Sequence, residues 1–460
     1  MSNIQSQLTK RALIKAAVAG AAFAPELRAF AASTTGNPRL LLGPMLGPPT
    51  ETSISLWGVA SGAFDVVVEY ADNRLLNNAQ QAQPVRARPE DGYVVRPQLS
   101  DLKPDTEYWY RLLVEGRAQD REDIALGRFR TAPRTGRAQD FRVGYGSCAN
   151  YAYDPIQPIW NAVSEHRPDL FLNLGDNIYC DAFEPFVLDF EYQRQRDVAA
   201  YQDVARNIPQ LAIWDDHDFG LNDHDRTNPI KQNALAAFQK YWLNPAYGLP
   251  GTPGVFFAYS YGAVDFIFTD GRYYRDPNAE EDRPGKTFLG KAQLAWLKQT
   301  LKDSRGVFKI LACGSGWSKN KGPGGDAWSS CLTERNEIFN FIRDENIEGV
   351  ILISGDTHIG EFNCIPWSEQ GGYDLFDLVS SPISSRQSHS WLKREPEIRL
   401  RTPPYTIGPN AGMMQFSFDD EPSMTWWLVK PDGKTTWAPA TFKVSQLRNG
   451  VSSWRQYQDS

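Results

Sequence analysis

The chain has 460 residues, which is enough for about two or three domains of ordinary size and a large buried core. Hydrophobic residues make up 41% of the sequence and aromatic residues 12%, so the composition excludes a disordered protein. Asp and Glu outnumber Lys and Arg by 55 to 48, and the net charge of -7 offers no basic surface for a stable nucleic-acid partner.

The N-terminus, residues 1–32, has the features of an export signal. Lys10 and Arg11 form a near twin-arginine pair, an apolar run covers 16–24, and small residues at 29–31 form a cleavage site. The run is shorter than the roughly 20 residues that cross a bilayer as a helix, and no other segment reaches that length. We predict an exported protein, periplasmic or secreted, carried by the twin-arginine machinery. The ordinary secretory route stays open because Lys10 replaces the first arginine.

Short alternating runs divided by turn residues cover residues 37–134 and predict an N-terminal β-sandwich domain. The segment 102–112 resembles the tyrosine-corner strand of fibronectin type III domains, with its Leu-x-Pro-x-Thr-x-Tyr spacing. Residues 129–133 resemble the last strand of such a domain. The sandwich is therefore predicted to be fibronectin III-like and to end at a linker near 134–139.

From residue 140 onwards strands alternate with helices, which predicts a layered α/β domain over 140–445 and a C-terminal tail over 446–460. The predicted strands lie at 141–145, 169–174, 210–214, 263–269, 308–313 and 349–354, with two late strands near 413–418 and 424–429. The predicted helices lie at 155–166, 186–207, 233–242, 289–303 and 333–345.

Polar residues follow four of these strands, at the edge where open α/β sheets bind their ligands. They are Ser147-Cys148, Gly175-Asp176 with Tyr179, Asp215-Asp216-His217-Asp218 and Asp356-Thr357-His358. Each has a commoner use on its own, since aspartates after strands form caps or turns and a lone cysteine is usually a small buried hydrophobe. Their joint occurrence at four strand ends favours one shared site.

The donor types predict a centre of two metal ions, which needs carboxylate, imidazole and phenolate ligands and one carboxylate shared by both ions. Asp176 suits the bridging position, because the flexible Gly175 holds it at the end of a strand. Tyr179 can supply a phenolate, a ligand that favours ferric iron. Asp356 and His358 are two residues apart, so both side chains can point to one side of an extended segment.

The third strand end supplies a further carboxylate and a histidine. Asp216 is the preferred metal ligand there, although the sequence does not order Asp215 against Asp216, and His217 is predicted to face the substrate. Arg272 and Arg275 could bind a substrate phosphate bidentately, but a structural ion pair is the favoured interpretation.

These segments resemble the alkaline phosphatase D (PhoD) family of the metallophosphatase superfamily, which is related in layout to the purple acid phosphatases. The superfamily blocks occur in order, and Cys148 stands where the first block usually has an aspartate, a feature typical of PhoD. Residues 270–275 and 289–297 also resemble PhoD segments, so the resemblance covers nearly the whole mature chain. It implies an αββα metallophosphatase domain behind the N-terminal sandwich.

The resemblance also implies metals and their ligands. Ferric iron would be bound by Cys148, Asp176, Tyr179 and His358, and calcium would lie near Asp176, Asp216, Asn222 and Asp356, with other divalent metals open. A histidine block of the purple acid phosphatases is missing, and residues 314–317 stand at about its place. Calcium, which accepts oxygen ligands, tolerates that loss better than zinc.

The implied activity is hydrolysis of phosphate esters by an alkaline phosphatase or phosphodiesterase. A metal-bound hydroxide would attack phosphorus, and His217 would contact the phosphoryl oxygen or protonate the leaving alkoxide. Small-molecule and lipid esters both stay open as substrates, including a phospholipase D-like reaction. A catalytically inactive surface-binding protein is an alternative that the intact ligand positions disfavour, and a two-metal nuclease is one that the acidic charge disfavours.

Overall fold

The computed structural model describes residues 37–118, 126–389, 392 and 394–458, and the predicted export signal lies outside these described residues. Within them, no helix combines the length and the hydropathy needed to cross a membrane. The predicted order of a β-sandwich followed by a layered α/β domain is confirmed.

The N-terminal domain is built from ten strands, several of them only two residues long. They are β1 (Leu40–Leu46), β2 (Ile54–Ala60), β3 (Asp65–Ala71), β4 (Gln80–Gln81), β5 (Val85–Arg86), β6 (Val94–Val95), β7 (Gln98–Leu99), β8 (Glu107–Val114), β9 (Arg117–Ala118) and β10 (Gly127–Arg130). One sheet joins β1, β2, β6 and β7, and the other joins β10, β8, β3, β4, β5 and β9. The Tyr108 hydroxyl accepts a hydrogen bond from the Lys103 backbone N–H at 3.0 Å. The fibronectin III likeness stays a prediction.

The second domain contains fifteen further strands in the described chain. They are β11 (Phe141–Gly146), β12 (Leu170–Leu174), β13 (Gln210–Ile213), β14 (Gly248–Leu249), β15 (Thr252–Pro253), β16 (Phe257–Tyr261), β17 (Val264–Phe268), β18 (Phe308–Ala312), β19 (Val350–Ser354), β20 (Glu361–Ile365), β21 (Leu375–Val379), β22 (Ile398–Arg399), β23 (Ala411–Ser417), β24 (Ser423–Val429) and β25 (Ala440–Lys443). Its helices are α1 (Ile159–His166), α2 (Pro185–Arg196), α3 (Ala199–Asn207), α4 (Asp216–Phe219), α5 (Lys231–Tyr241), α6 (Lys291–Asp303) and α7 (Leu332–Asp344).

Two mixed sheets form the centre of this domain. The first has the order β13-β12-β11-β23-β24-β25 and the second β16-β17-β18-β19-β21-β20-β22. β11, β12 and β13 are parallel to one another, and so are β17, β18, β19 and β21. Parallel neighbours bring their carboxyl ends to one edge of each sheet, which is where the predicted site residues follow the strands.

Aromatic side chains join the inner faces of the two sheets. Phe141 on β11 lies 6.5 Å from Phe266 on β17, between ring centroids, and the Tyr145 hydroxyl donates to the backbone carbonyl of Leu378 on β21 at 3.0 Å. On the outer face of the first sheet, the Trp160 ring of α1 lies 5.1 Å from Phe171. Helix, sheet and sheet therefore stack in successive layers, as the alternating strand and helix pattern predicts.

The prediction of one continuous helix over 186–207 was wrong. The chain forms α2 and α3 instead, because Val198 between them adopts an extended conformation with φ -61° and ψ 114° and is 2% exposed. The turn lets α3 pack on the N-terminal domain, where the Tyr201 hydroxyl lies 3.7 Å from the sulfur of Met45. A tertiary contact thus overrides a local helical preference.

The segment predicted as a C-terminal tail packs on the second domain. Tyr457 is 5% exposed, and its ring lies 4.8 Å from Phe442 and 5.3 Å from Phe376. The Asp374 carboxylate accepts the backbone N–H of Ser453 at 2.6 Å. These contacts anchor the segment to β21 and β25.

Tyr457→Ala should lower the free energy of unfolding by about 3 kcal/mol or more, since it removes a large buried aromatic side chain. Tyr457→Phe should cost only about 1 kcal/mol, because it removes the hydroxyl that donates to Thr441 and keeps the ring. Urea titration followed by near-UV circular dichroism measures both. A loss below about 0.5 kcal/mol for Tyr457→Ala would mean that the segment is a dispensable tail.

Candidate metal centre

The candidate site lies where the carboxyl ends of the parallel strands from both sheets meet. Cys148, Asp176, Asp356 and His358 all have positive φ, at 63°, 49°, 65° and 55°. Residues other than glycine rarely adopt this conformation, and such backbone strain concentrates at functional sites. Gly175 is also required here, since a Cβ at this position would lie 2.6 Å from the Cβ of Asp215.

Four predicted ligands form one group of contacts. Cys148 Sγ lies 3.4 Å from Asp176 Oδ2, and the Tyr179 hydroxyl lies 3.3 Å from the same oxygen. The Tyr179 hydroxyl also lies 3.0 Å from His358 Nε2. A thiol, a carboxylate, a phenol and an imidazole therefore converge on one small volume.

Neighbouring side chains and backbone groups hold these ligands in place. The hydroxyls of Ser147 and Ser381 lie 3.3 and 3.2 Å from Cys148 Sγ. His358 Nδ1 lies 2.7 Å from the Arg386 carbonyl, which leaves Nε2 facing Tyr179. Such outer contacts are what fix the orientation of a ligating histidine.

The pKa values of this group are raised, because the protein alone does not stabilise the deprotonated forms of its side chains. Burial and the charge of Asp356 raise the pKa of the Cys148 thiol to about 11. Burial and the neighbouring charges of Cys148 and Asp216 raise the pKa of Asp176 well above its usual range. A bound cation would reverse these shifts, because it stabilises the deprotonated ligands.

A second group of acceptors adjoins the first and consists of oxygen ligands. Asp216 Oδ2 accepts the Asp223 backbone N–H at 2.7 Å, while the buried Asp216 Oδ1 has no hydrogen-bond partner among the described residues. Asp356 pairs with the ammonium of Lys321. Asn222, the other predicted calcium ligand, is exposed and directly precedes Asp223.

Asp215 and Asp216 have different surroundings. Asp215 pairs with Arg272 Nε, and the Ser315 hydroxyl lies 3.3 Å from its carboxylate oxygens. Burial raises the pKa of Asp215 to about 7 even though the charge of Arg272 opposes the rise. Although burial opposes it, the charges of Arg272 and His217 lower the pKa of Asp216. Of the two aspartates, Asp216 therefore has the carboxylate oxygen, Oδ1, that is still available to a metal ion.

The predicted structural role of the two arginines is confirmed. Arg272 is fully buried and binds Asp326 bidentately at 2.9 and 2.7 Å, in addition to its contact with Asp215. Arg275 Nη2 lies 3.1 Å from Asp326 Oδ1. Both guanidinium groups are thus engaged by carboxylates of the protein.

Asp218 also has a structural role, because its carboxylate accepts the Asn177 backbone N–H at 3.1 Å.

His217 sits beside the first group, with its ring 4.2 Å from that of Tyr179. Its Nδ1 lies 2.7 Å from Asp181 Oδ1, and its backbone N–H donates to Asp176 Oδ1 at 3.4 Å. Although burial acts to lower it, the charges of Asp176 and Asp216 and the bond to Asp181 raise the pKa of His217 to about 11. These neighbours favour the protonated imidazole over the neutral one.

The residues present fit bound metal ions. Among the residues that the structure describes, ligand atoms lie within 4.8 Å of one another in four groups. These are Cys148, Asp176 and His358; Asp176, Asp216 and His217; Asp215, Asp216 and Asp356; and Asp216, Asp223 and Asp326. Asp216 Oδ1 accepts no hydrogen bond from the described residues and lies 3.6 Å from Arg272 Nη2. This oxygen and the mixture of soft and hard donors are both accounted for by cations at this edge.

Sequence reasoning missed several neighbours of the site. Asp181 comes two residues after Tyr179 and could have been considered with it. Asp326 follows a glycine-rich run, which weakly indicates a loop with an unusual backbone conformation. Lys321 and Ser381 had no local signal, because loops from other parts of the chain carry them to the site.

Facing mixed sheets with candidate metal-binding side chains at their shared edge are the layout of metal-dependent phosphoesterases of the metallophosphatase class. The model of the PhoD-like phosphatase matches residues 190–407, and the model of the PhoD-like phosphatase N-terminal domain matches residues 25–133. The chain belongs to the PhoD-like phosphatase family and is a phosphoester hydrolase.

Individual relatives agree with this assignment. Alkaline phosphatase D of Bacillus subtilis (strain 168) is 23% identical over 404 residues, which cover 74% of this chain and 67% of the relative. A solved structure of PhoD superposes with a TM-score of 0.74 at 18% identity, covering 89% of this chain and 92% of that chain. Purple acid phosphatase PPD1 from yellow lupin (Lupinus luteus) seeds gives a TM-score of 0.62 at 13% identity, covering 90% of this chain and 75% of the other. The two structures share the fold of this chain.

Proposed function

We propose that this protein is an exported alkaline phosphatase or phosphodiesterase with a centre of two or more metal ions. The observation that carries the proposal is the convergence of Cys148, Asp176, Tyr179 and His358, whose donor atoms contact one another at 3.0 to 3.4 Å. The export signal at 1–32 and the boundaries of a sandwich at 37–134 and a catalytic domain at 140–445 belong to the same proposal.

Ferric iron is the proposed ion for the first group. Thiolate and phenolate are strong anionic donors, and His358 Nε2 adds a nitrogen ligand beside the Tyr179 oxygen at 3.0 Å. The three anions that Cys148, Asp176 and Tyr179 provide when deprotonated match the charge of a trivalent ion.

Calcium is the proposed ion for the second group. Asp216 and Asp356 supply carboxylate oxygens, Asp176 is the shared carboxylate, and Asn222 lies in the loop whose next residue already bonds to Asp216. Calcium accepts six to eight oxygen ligands in flexible geometry, so an exposed loop can complete its shell.

In the proposed reaction, the metals and His217 have different roles. The bound metals would supply positive charge that activates water and neutralises the phosphoryl oxygens. His217, oriented by Asp181 at 2.7 Å, would contact the phosphoryl oxygen or give its proton to the leaving oxygen. Monoesters and diesters, including lipid esters, are both proposed substrates, and one assay of each distinguishes them.

Cys148→Ser tests the iron ligand assignment. Thiolate or phenolate bound to ferric iron gives charge-transfer absorption in the visible, so the active protein should be coloured. The substitution should shift or bleach this band and reduce iron retention, while far-UV circular dichroism stays unchanged. Cys364→Ser is the matched control, because Cys364 is equally buried but lies on β20.

A colourless active enzyme that carries only zinc or magnesium would contradict the assignment. So would rapid alkylation of Cys148 in the metal-loaded protein, since a coordinated thiolate should be shielded from the reagent. If Cys148 were only a small buried side chain, serine would cost a little stability and leave colour and iron content unchanged.

A further inference from the structure

Lys321 is a buried cation at the edge of the candidate metal centre. Its side chain is 3% exposed, and its ammonium contacts the carboxylate of Asp356, a proposed calcium ligand. The same nitrogen donates a hydrogen bond to the backbone carbonyl of Asp326 at 3.1 Å. A divalent ion at this position needs a carboxylate oxygen of Asp356, and the ammonium already binds Oδ2, so both cations draw on the same acceptor group.

The cluster around Asp356 contains other protein cations. Asp216 shares one group of ligand atoms with Asp356 and another with Asp326. Arg272 Nη2 lies 3.6 Å from Asp216 Oδ1 and 2.7 Å from Asp326 Oδ2. Lys321 therefore adds a further positive charge to a cluster in which Asp216 and Asp326 already have a guanidinium partner. Charge repulsion of this kind is strong in a buried site and opposes an incoming cation.

The position of Lys321 in the chain is also informative. It precedes the glycine-rich segment 322–325, which leads to Asp326, and its own carbonyl accepts a bond from Arg394. The ammonium is thus held near Asp356 by contacts at both ends of the residue. A lysine that only solvated a surface carboxylate would not be buried in this way.

We propose that Lys321 and a divalent cation compete for Asp356, so that the ion binds by displacing the ammonium from the carboxylate. This inference rests on the proposed function, since it takes the oxygen-ligand group as a calcium position. Lys321 lowers the affinity of that position below the value that its carboxylates alone would give.

Calcium titration by calorimetry of the iron-loaded protein tests the competition. Lys321→Met should bind calcium about tenfold more tightly or better, because the competing charge is gone and Asp356 is free. Lys321→Arg, which keeps the charge, should stay closer to the wild type. Lys319→Met is the matched control, since Lys319 is exposed two residues earlier, and its calcium affinity should equal that of the wild type.

Thermal unfolding gives a second readout. Without calcium, Lys321→Met should melt below the wild type, because the half-buried Asp356 has lost its partner, and added calcium should raise its melting temperature more than that of the wild type. If the methionine variant does not fold, Lys321→Gln replaces it, since the amide still donates to Asp356 without a charge.

Equal or weaker calcium binding by the uncharged variants would overturn the competition, and so would calcium binding by neither protein. Calcium binding by neither protein would also remove the calcium assignment of the second group, whereas the phosphoesterase function and the iron site fail on different observations, namely a wild-type protein without iron, visible colour or phosphatase activity. If the wild type is coloured and active, and its calcium affinity equals that of the Lys321 variants, this inference alone is rejected.

Discussion

Asp176→Asn is expected to abolish turnover and to remove at least one metal equivalent per chain while the fold is retained. Asp176 Oδ2 faces both Cys148 Sγ and the Tyr179 hydroxyl, and Oδ1 accepts the backbone N–H of His217. The carboxylate thus lies between the two groups of donors, where a shared ligand must be. Asparagine keeps the size of the side chain but loses the charge and one acceptor oxygen, so it cannot bridge two cations.

Metal content by mass spectrometry, hydrolysis of 4-nitrophenyl phosphate and far-UV circular dichroism together measure this outcome. Asp265→Asn is a suitable control, because Asp265 lies at the amino end of β17, opposite the strand ends that carry the site. Full activity with normal metal content in Asp176→Asn would reject the shared-ligand assignment, whereas an equal loss in the control would point to a general effect on folding.

Much of the fold was predictable because its information is local. Buried parallel strands appear as short apolar runs, and β11, β12, β13 and β19 were each placed to within one residue at their ends. The break at Val198 was not predictable in this way. It depends on α3 turning to pack on β1, a contact between segments that are far apart in sequence.

The residues of the candidate site were also predictable only where their position depends on local sequence. The residues that directly follow strands were found, since a strand end fixes where its next residues lie. The choice between Asp215 and Asp216 stayed open because the deciding partner, Arg272, is 57 residues from Asp215. Lys321 was missed for the same reason, because its role depends on Asp356, which is 35 residues away.

His217 carries the last prediction, and its surroundings suit a group that acts on the substrate. Its Nδ1 is held by Asp181 Oδ1 at 2.7 Å, which orients the ring and leaves Nε2 as the atom available for a phosphoryl or leaving-group oxygen. The charges of Asp176 and Asp216 raise its pKa, and bound cations would lower that pKa again towards the working range of a general acid.

His217→Ala should lower kcat by roughly 10²–10⁴-fold while metal content stays normal. The leaving group separates the two roles: a general acid is needed most for a poor leaving group, so an alkyl phosphate should lose more activity than 4-nitrophenyl phosphate. Equal losses would favour contact with the phosphoryl oxygen. His166→Ala is the control, because His166 ends α1 and bonds to the Gly433 carbonyl, outside the site. Loss of a metal equivalent from His217→Ala would instead make the imidazole a ligand, together with Asp176 and Asp216, with which it shares a group of donor atoms.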